Sequence, residues 1–160
     1  MQLLLIRHGK AGDSHPDGDF ARPLVAAGHA QARAIAGLLA STDELPDICL
    51  TSPLVRAMQT AETFCTTAGL PGPIIQPWLA SGLHPETALA ELVAFREYNR
   101  VAIFGHEPDF SSFIEWTLGV HGGSIEMKKS AAACLVIHPP SRHSSLRFLV
   151  PPALVQCIDS

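Results

Sequence analysis

Two histidines in this sequence each stand just beyond a short apolar segment. Arg7 and His8 directly follow the apolar run at residues 3–6, and His106 follows the run at residues 101–104 after one glycine. A neutral imidazole is nucleophilic near neutral pH because its ordinary pKa is near 6.5. A guanidinium group binds phosphate oxygens through paired N–H donors. These residue types therefore predict phosphoryl chemistry at the ends of two buried strands.

A third segment adds a second arginine to this set. The apolar residues 48–50 lead through a serine and a proline toward a helix with Arg56 in its first turn. The start of a helix offers free N–H groups and the positive end of the helix dipole, both of which favour anions. If the three strand ends meet, Arg7, His8, Arg56 and His106 surround one point, which suits a dianionic phosphoryl group.

One of the two histidines can act as well as bind. Attack of an imidazole on phosphorus forms a phosphohistidine, which water then hydrolyses. The arginines would neutralise the charge on the equatorial oxygens during the transfer. We expect no metal cofactor, since the guanidinium groups do that work and the histidines lack metal-binding spacing.

Hydrophobic periodicity predicts strands that alternate with helices. Ser52 and Pro53 are expected as the N-cap and the first residue of the clearest helix, and Asp109 as the cap of a later one. The predicted strands are 2–6, 48–50, 74–75, 101–104, 132–137 and 146–150, and the predicted helices are 26–40, 52–68, 85–98 and 109–118. This alternation predicts an α/β fold, a three-layer α/β/α sandwich with a mostly parallel sheet.

The composition limits the classes of function. The chain has 160 residues, which suits a single domain spanning 1–160, and its net charge of −4 with a pI near 6.0 argues against a general nucleic-acid or membrane-surface role. Four cysteines without a C-x-x-C pair are expected as free thiols in a reducing compartment. We find no signal peptide and no membrane span, and expect a cytoplasmic monomer or weak dimer.

Four ordered segments resemble the histidine phosphatase superfamily, which has the phosphoglycerate-mutase-like fold. LLIRHGKAG resembles its RHG signature, TSPLVRAMQTAE its S-P-x-x-R-A-x-Q-T segment, and IFGHEPDFS its later histidine segment. GHEPD and ARPLVAAGHAQA are similar to segments of the SixA-like branch. The resemblance implies that His8 is the phosphorylated nucleophile and that Arg7, Arg56 and His106 form the phosphate pocket. It also implies a substrate, the phosphorylated histidine of a phosphotransfer domain in bacterial signalling.

One departure from the resemblance concerns the general acid. Larger members of the superfamily carry a glutamate after the third strand, where this chain reads PWLASGLHPE, with Glu86 arriving late. Glu107 is the nearer candidate for the acid because it follows His106. A phosphohistidine has a nitrogen leaving group that needs less help from an acid than an alcohol does. The absence of a glutamate at that position therefore favours either a phosphoramidate substrate or slow turnover.

Several interpretations remain open from the sequence. Arg22 either guards the phosphate pocket or pairs with Asp17 or Asp19 to hold its loop. A phosphatase or mutase acting on small phosphate esters is the alternative enzyme. A phosphate-binding or phosphoprotein-binding module without turnover is a third hypothesis, although a binder has no need of a nucleophile at His8.

Overall fold

The computed structural model describes residues 1–156, which form one six-stranded sheet with helices on both faces. The strands are β1 (Gln2–Arg7), β2 (Ile48–Thr51), β3 (Ile74–Ile75), β4 (Arg100–Gly105), β5 (Ala132–His138) and β6 (Ser141–Val150). The helices are α1 (Ala26–Ser41), α2 (Val55–Ala68), α3 (Pro85–Leu92), α4 (Asp109–Leu118) and α5 (Pro152–Gln156). The predicted α/β class and three-layer arrangement are confirmed.

The sheet has the order β3-β2-β4-β1-β5-β6. The first four strands in this order are parallel, and the last two pair antiparallel to their neighbours. The mostly parallel sheet is therefore also confirmed. The parallel strands β1 and β4 lie in the middle and are almost fully buried, which explains their continuous apolar sequence.

Alternate residues of β1 face two different cores. Leu3 and Leu5 pack into the core covered by α3 and α4, with Phe110 and Phe113. Leu4 and Ile6 pack into the core covered by α1, α2 and α5, and the side chains at its centre include Ile35, Leu39 and Phe64. Because both faces are buried, the strand is held firmly, and the residues that follow it start from a fixed position.

The structure corrects two predicted helix starts. Helix α2 begins at Val55 with Leu54 as its N-cap, so Ser52 is not the cap. Ser52 instead follows β2 directly, where its hydroxyl lies beside His106. Asp109 is the first residue of α4 and not its cap, since its carboxylate accepts a hydrogen bond from the Gly82 amide at 2.8 Å. Both side chains are drawn away from capping by partners distant in sequence.

Two further element bounds differ from the prediction. Helix α3 ends at Leu92 and continues only as a short 3₁₀ turn at Val93–Phe95, instead of running to residue 98. Strand β6 begins at Ser141, five residues before the predicted start, and it is mostly exposed or half-buried. Its polar first half carries little apolar periodicity, so pairing with β5 extends the strand beyond what its pattern indicates.

The cysteines Cys49, Cys65 and Cys134 are buried free thiols, as expected, and Cys157 lies outside the described residues. Among the helices of residues 1–156, none combines the length and apolar character that crossing a bilayer requires.

Candidate active site

The three predicted strand ends meet at one edge of the sheet. In the register of the parallel strands, Arg7 lies opposite Gly105, and Thr51 lies opposite Phe104. The next residues are joined across the edge, because the His8 amide donates to the Gly105 carbonyl at 2.9 Å. The carboxyl ends of β1, β2 and β4 therefore deliver their side chains to a common place, as expected for an open α/β sheet.

The rings of His8 and His106 lie beside each other at this edge. Their centroids are 5.4 Å apart and their planes are tilted by 53°. Both side chains are buried, with only 8% of His8 and 2% of His106 exposed. The sequence-based placement of the two histidines in one site agrees with this geometry.

The hydrogen bond of His8 settles which ring nitrogen carries the hydrogen. Its Nδ1 lies 2.8 Å from the backbone carbonyl of Gly9. A carbonyl can only accept a hydrogen bond, so in the neutral ring Nδ1 must be the donor. The lone pair is then on Nε2, which is the tautomer a nucleophilic imidazole needs.

Gly9 is required because two chain segments approach it closely. A Cβ at this position would lie 2.7 Å from the Gly28 carbonyl oxygen in the first turn of α1. The Gly9 amide also donates to Thr60 Oγ1 on α2 at 3.0 Å. The glycine thus allows α1 and α2 to pack against the segment that carries His8, and it fixes the backbone next to His8.

Four buried polar atoms of this region have no hydrogen-bond partner among residues 1–156. They are Arg7 Nε, Arg56 Nε, His106 Nδ1 and Ser130 Oγ. Buried polar groups are normally paired, so unpaired donors grouped around His8 indicate a site that receives an acceptor-rich ligand. A phosphoryl group has oxygens that accept such bonds.

The other nitrogens of the two arginines hold them in place. Arg7 donates from Nη1 to the Met127 carbonyl at 2.7 Å. Arg56 donates from Nη1 to the Asp19 carbonyl at 2.8 Å and from Nη2 to the Asp19 carboxylate at 3.0 Å. Arg56 is only 5% exposed although it stands in the first turn of α2. Each guanidinium is therefore held in place through its terminal nitrogens, and its Nε remains available to donate to a ligand in the site.

Arg22 lies next to Asp19 and completes this arrangement. Its Nε and Nη2 bond to Asp19 Oδ1 at 2.7 and 2.6 Å, and its Nη1 donates to the Gly12 carbonyl at 2.9 Å. Of the two roles left open by the sequence, the structure shows the pairing with Asp19. Asp19 itself was missed as a site residue, since a carboxylate in a loop of glycines and prolines gives no signal of its distant partner Arg56.

Burial and positive neighbours keep both histidines neutral. Burial is the main cause that lowers the pKa of His8 to about 4, and Arg56 and Arg7 act in the same direction. Burial together with the neighbouring His8 lowers the pKa of His106 to about 3. Both imidazoles are therefore uncharged at neutral pH, and the positive charge of the site comes from the arginines.

This electrostatic setting predicts the titration of His8. Because its folded pKa lies below the ordinary value of 6.5, we expect an NMR titration of the His8 ring to have its midpoint near pH 4. In the same window the unfolded chain binds more protons, so the free energy of unfolding should decrease as the pH falls from about 6.5 toward 4. A midpoint at the ordinary value would contradict the burial of this ring.

Ser52 is a second site residue that the sequence did not reveal. Its Oγ lies 2.8 Å from His106 Nε2 and accepts a hydrogen bond from the Leu54 amide at 3.2 Å. When the serine hydroxyl donates to Nε2, the neutral His106 ring carries its hydrogen on Nδ1, the nitrogen without a partner. Ser52 can thereby orient His106 as a donor.

The two candidate acids occupy different surroundings. Glu107 is half-buried, and its carboxylate accepts hydrogen bonds from the Ser111 amide at 3.2 Å and the Ser111 hydroxyl at 2.5 Å. Burial outweighs these bonds and raises the pKa of Glu107. Glu86 is exposed in the first turn of α3. Glu107 is therefore the candidate whose surroundings favour the protonated form.

Comparison with known proteins points to one family. The profile of the histidine phosphatase superfamily (branch 1) matches residues 3–79, which include the segments of Arg7, His8 and Arg56. An uncharacterized protein of Picosynechococcus sp. (strain ATCC 27264 / PCC 7002 / PR-6) is 33% identical over 140 residues, covering 81% of each chain.

Solved structures share the whole architecture. The protein histidine phosphatase SixA in complex with tungstate matches with a TM-score of 0.86 and 24% identity, covering 97% of this chain and 99% of the other. A candidate phosphohistidine phosphatase SixA from Agrobacterium tumefaciens gives 0.80 and 27%, covering 94% and 97%. The alpha-ribazole phosphatase from Shigella flexneri gives 0.76 and 23%, covering 95% and 97%. This chain belongs to the histidine phosphatase superfamily.

Proposed function

We propose that this chain is a phosphatase that works through a phosphohistidine on His8 and that it removes phosphate from phosphohistidine on a signalling protein. One observation carries the proposal. The Nδ1 of His8 is bound to the Gly9 carbonyl, which leaves Nε2 as the free base among the unpaired donors of Arg7, Arg56 and His106. A nucleophile with surrounding anion donors is what phosphoryl transfer needs.

The proposed reaction has two displacements at phosphorus. His8 Nε2 attacks, a P–N bond forms, and the bond from phosphorus to the leaving group breaks. The leaving nitrogen takes up a proton. Water then attacks the phosphohistidine, releasing inorganic phosphate and restoring neutral His8. Arg7 and Arg56 would stabilise the charge on the phosphoryl oxygens in both steps, and His106 would donate from Nδ1.

The site lacks a carboxyl group that is free to act as a general acid among residues 1–156, which supports a phosphohistidine substrate. Glu107 is the candidate with a raised pKa, and both its oxygens are already engaged by Ser111. An imidazole leaving group departs readily once protonated by solvent, whereas an alkoxide needs a positioned acid. The solved SixA, described as a protein histidine phosphatase, has the same fold across nearly its entire length.

A second candidate is the hydrolysis of small phosphate esters. The raised pKa of Glu107 favours it, because a protonated carboxylic acid close to His106 can supply the proton that an alcohol leaving group requires. The alpha-ribazole phosphatase from Shigella flexneri also shares the fold. The two candidate functions therefore differ in whether they need the Glu107 carboxyl group as a general acid.

Replacement of Glu107 by glutamine should separate these candidates. On a phosphohistidine substrate we expect kcat to change less than about threefold, and on a phosphate ester to fall about 100-fold, in the range typical of a lost general acid. The exposed Glu86→Gln serves as the matched control, expected to change neither rate. Equal and large losses on both substrates would show that phosphohistidine hydrolysis also depends on this acid.

The substrate class itself is tested by a direct comparison of rates. We expect kcat/KM on a phosphohistidine-carrying phosphotransfer domain to exceed that on any of a panel of sugar phosphates by about 100-fold or more, the scale of one acid-dependent step. Faster turnover of a sugar phosphate would instead assign the chain to small phosphate esters.

A further inference from the structure

A groove of about 410 Å³ opens beside Arg7. Its lining includes three cations, Arg7, Lys128 and Lys129, together with Gln31, Pro151 and Pro152. Arg7 belongs both to this groove and to the site around His8. A substrate whose phosphoryl group reaches His8 can therefore extend along the groove.

The two lysines are carried by a turn that is bonded to the nucleophile segment. The Ser130 amide donates to the His8 carbonyl at 3.2 Å, and the Arg7 amide donates to the Ala131 carbonyl at 3.1 Å. The Ala131 amide closes the turn on the Lys128 carbonyl at 2.9 Å. The lysines thus have a fixed position relative to His8, although both side chains are exposed.

The groove is positive in a chain whose net charge is −4. Lys128 pairs with the exposed Glu126, while Lys129 has no ion-pair partner within residues 1–156. Lys129 is also near enough to His8 to act on it, since its charge helps to lower the pKa of that ring. Among residues 1–156, none of the side chains lining the groove is acidic. This local charge complements an acidic ligand.

We propose that this groove binds an acidic stretch of polypeptide next to the phosphorylated histidine of a protein substrate. The inference rests on the proposed function and deepens it, because it assigns Lys128 and Lys129 to the choice among phosphohistidine proteins. Pro151 and Pro152 also line the groove, and the proline rings restrict the backbone at this part of its lining. The lysines contact the flanking chain and leave the phosphoryl group to the arginines.

The test compares K128Q/K129Q with the wild type on two phosphohistidine peptides, one flanked by glutamates and one by glutamines. On the acidic peptide at low salt we expect kcat/KM to fall about fivefold to tenfold, the size expected for two exposed charge contacts. On the glutamine-flanked peptide and on phosphoramidate the rates should agree within about twofold, since neither substrate presents carboxylates to the lysines and the arginines hold the phosphoryl group of each. High salt should remove the difference between the peptides.

The control variant Arg96→Gln removes an exposed cation before β4, at the opposite end of the sheet, and should behave as the wild type on every substrate. Equal losses on the acidic and neutral peptides, or no loss on either, would overturn the proposal.

A binding measurement separates this inference from the proposed function. Fluorescence anisotropy with the unphosphorylated acidic peptide should give a Kd that is about fivefold to tenfold higher for K128Q/K129Q than for the wild type. This result supports the groove even if the wild type fails to hydrolyse phosphohistidine, which would be a failure of the proposed function alone. Equal binding of acidic and neutral peptides by the wild type would contradict the groove proposal, whichever substrate the enzyme hydrolyses.

Discussion

His8→Ala should reduce turnover by on the order of 10⁴-fold or more, because the proposed covalent intermediate forms on the His8 ring. The His8 ring presents Nε2 as a base, while the neighbouring His106 is tied through Nε2 to Ser52. Steady-state rates on a phosphohistidine substrate measure the effect. The variant should still bind inorganic phosphate or tungstate, since Arg7, Arg56 and His106 keep their donors.

The control for this variant is His29→Ala, which removes a half-buried histidine that bonds to Thr63 Oγ1 outside the site. Its rate should stay within about threefold of the wild type, as is usual for a change away from the reacting atoms. His8→Asn, which retains a polar side chain, guards against a loss caused by unfolding, and its thermal midpoint should be close to the wild-type value. Full activity in a folded His8 variant would show that His8 is not the nucleophile.

Arg56→Ala should have the second-largest effect, with kcat/KM falling by about 10³-fold, the loss expected for a preorganised charged donor. Arg56 is almost fully buried, and it is the only cationic residue of α2 (Val55–Ala68). Its loss would also leave the Asp19 carboxylate, whose pKa is held low by Arg22 and Arg56, paired with Arg22 alone. Arg56→Lys should recover only part of the loss, since an ammonium cannot reproduce the planar fork.

An exposed arginine provides the comparison for Arg56. Arg33→Ala on α1 removes the same side chain from the surface, and its kcat/KM should remain within about twofold of the wild type. Circular dichroism and thermal unfolding of Arg56→Lys establish that the site variant is folded. A folded Arg56→Lys with wild-type kcat/KM would contradict the role of this guanidinium in holding the phosphoryl group.

The sequence was sufficient to predict the residues at the strand ends. The apolar runs before Arg7 and His106 mark buried parallel strands, and parallel strands bring their carboxyl ends to one edge of the sheet. Arg56 could be placed for a similar reason, because it lies in the first turn of the helix that follows a third such strand. In each case a local pattern and one topological rule determine the position.

The residues that support the site could not be predicted in this way. Asp19 binds Arg56 across 37 positions of the chain, and Ser52 meets His106 across 54. Ser52 stands before a helix as a cap would, yet its partner His106 follows the distant strand β4, so the local rules for helix caps predicted the wrong role. Such long-range side-chain contacts depend on packing, which spacing along the sequence does not encode.

The most direct test of the account is to quench the enzyme during turnover of a phosphohistidine substrate and locate the covalent phosphoryl group by mass spectrometry. We expect one phosphoryl group on His8, labile to acid and stable to base as a phosphoramidate is, and absent in His8→Asn. A phosphoryl group on another residue, or turnover that inverts the configuration at phosphorus in a single displacement, would contradict it.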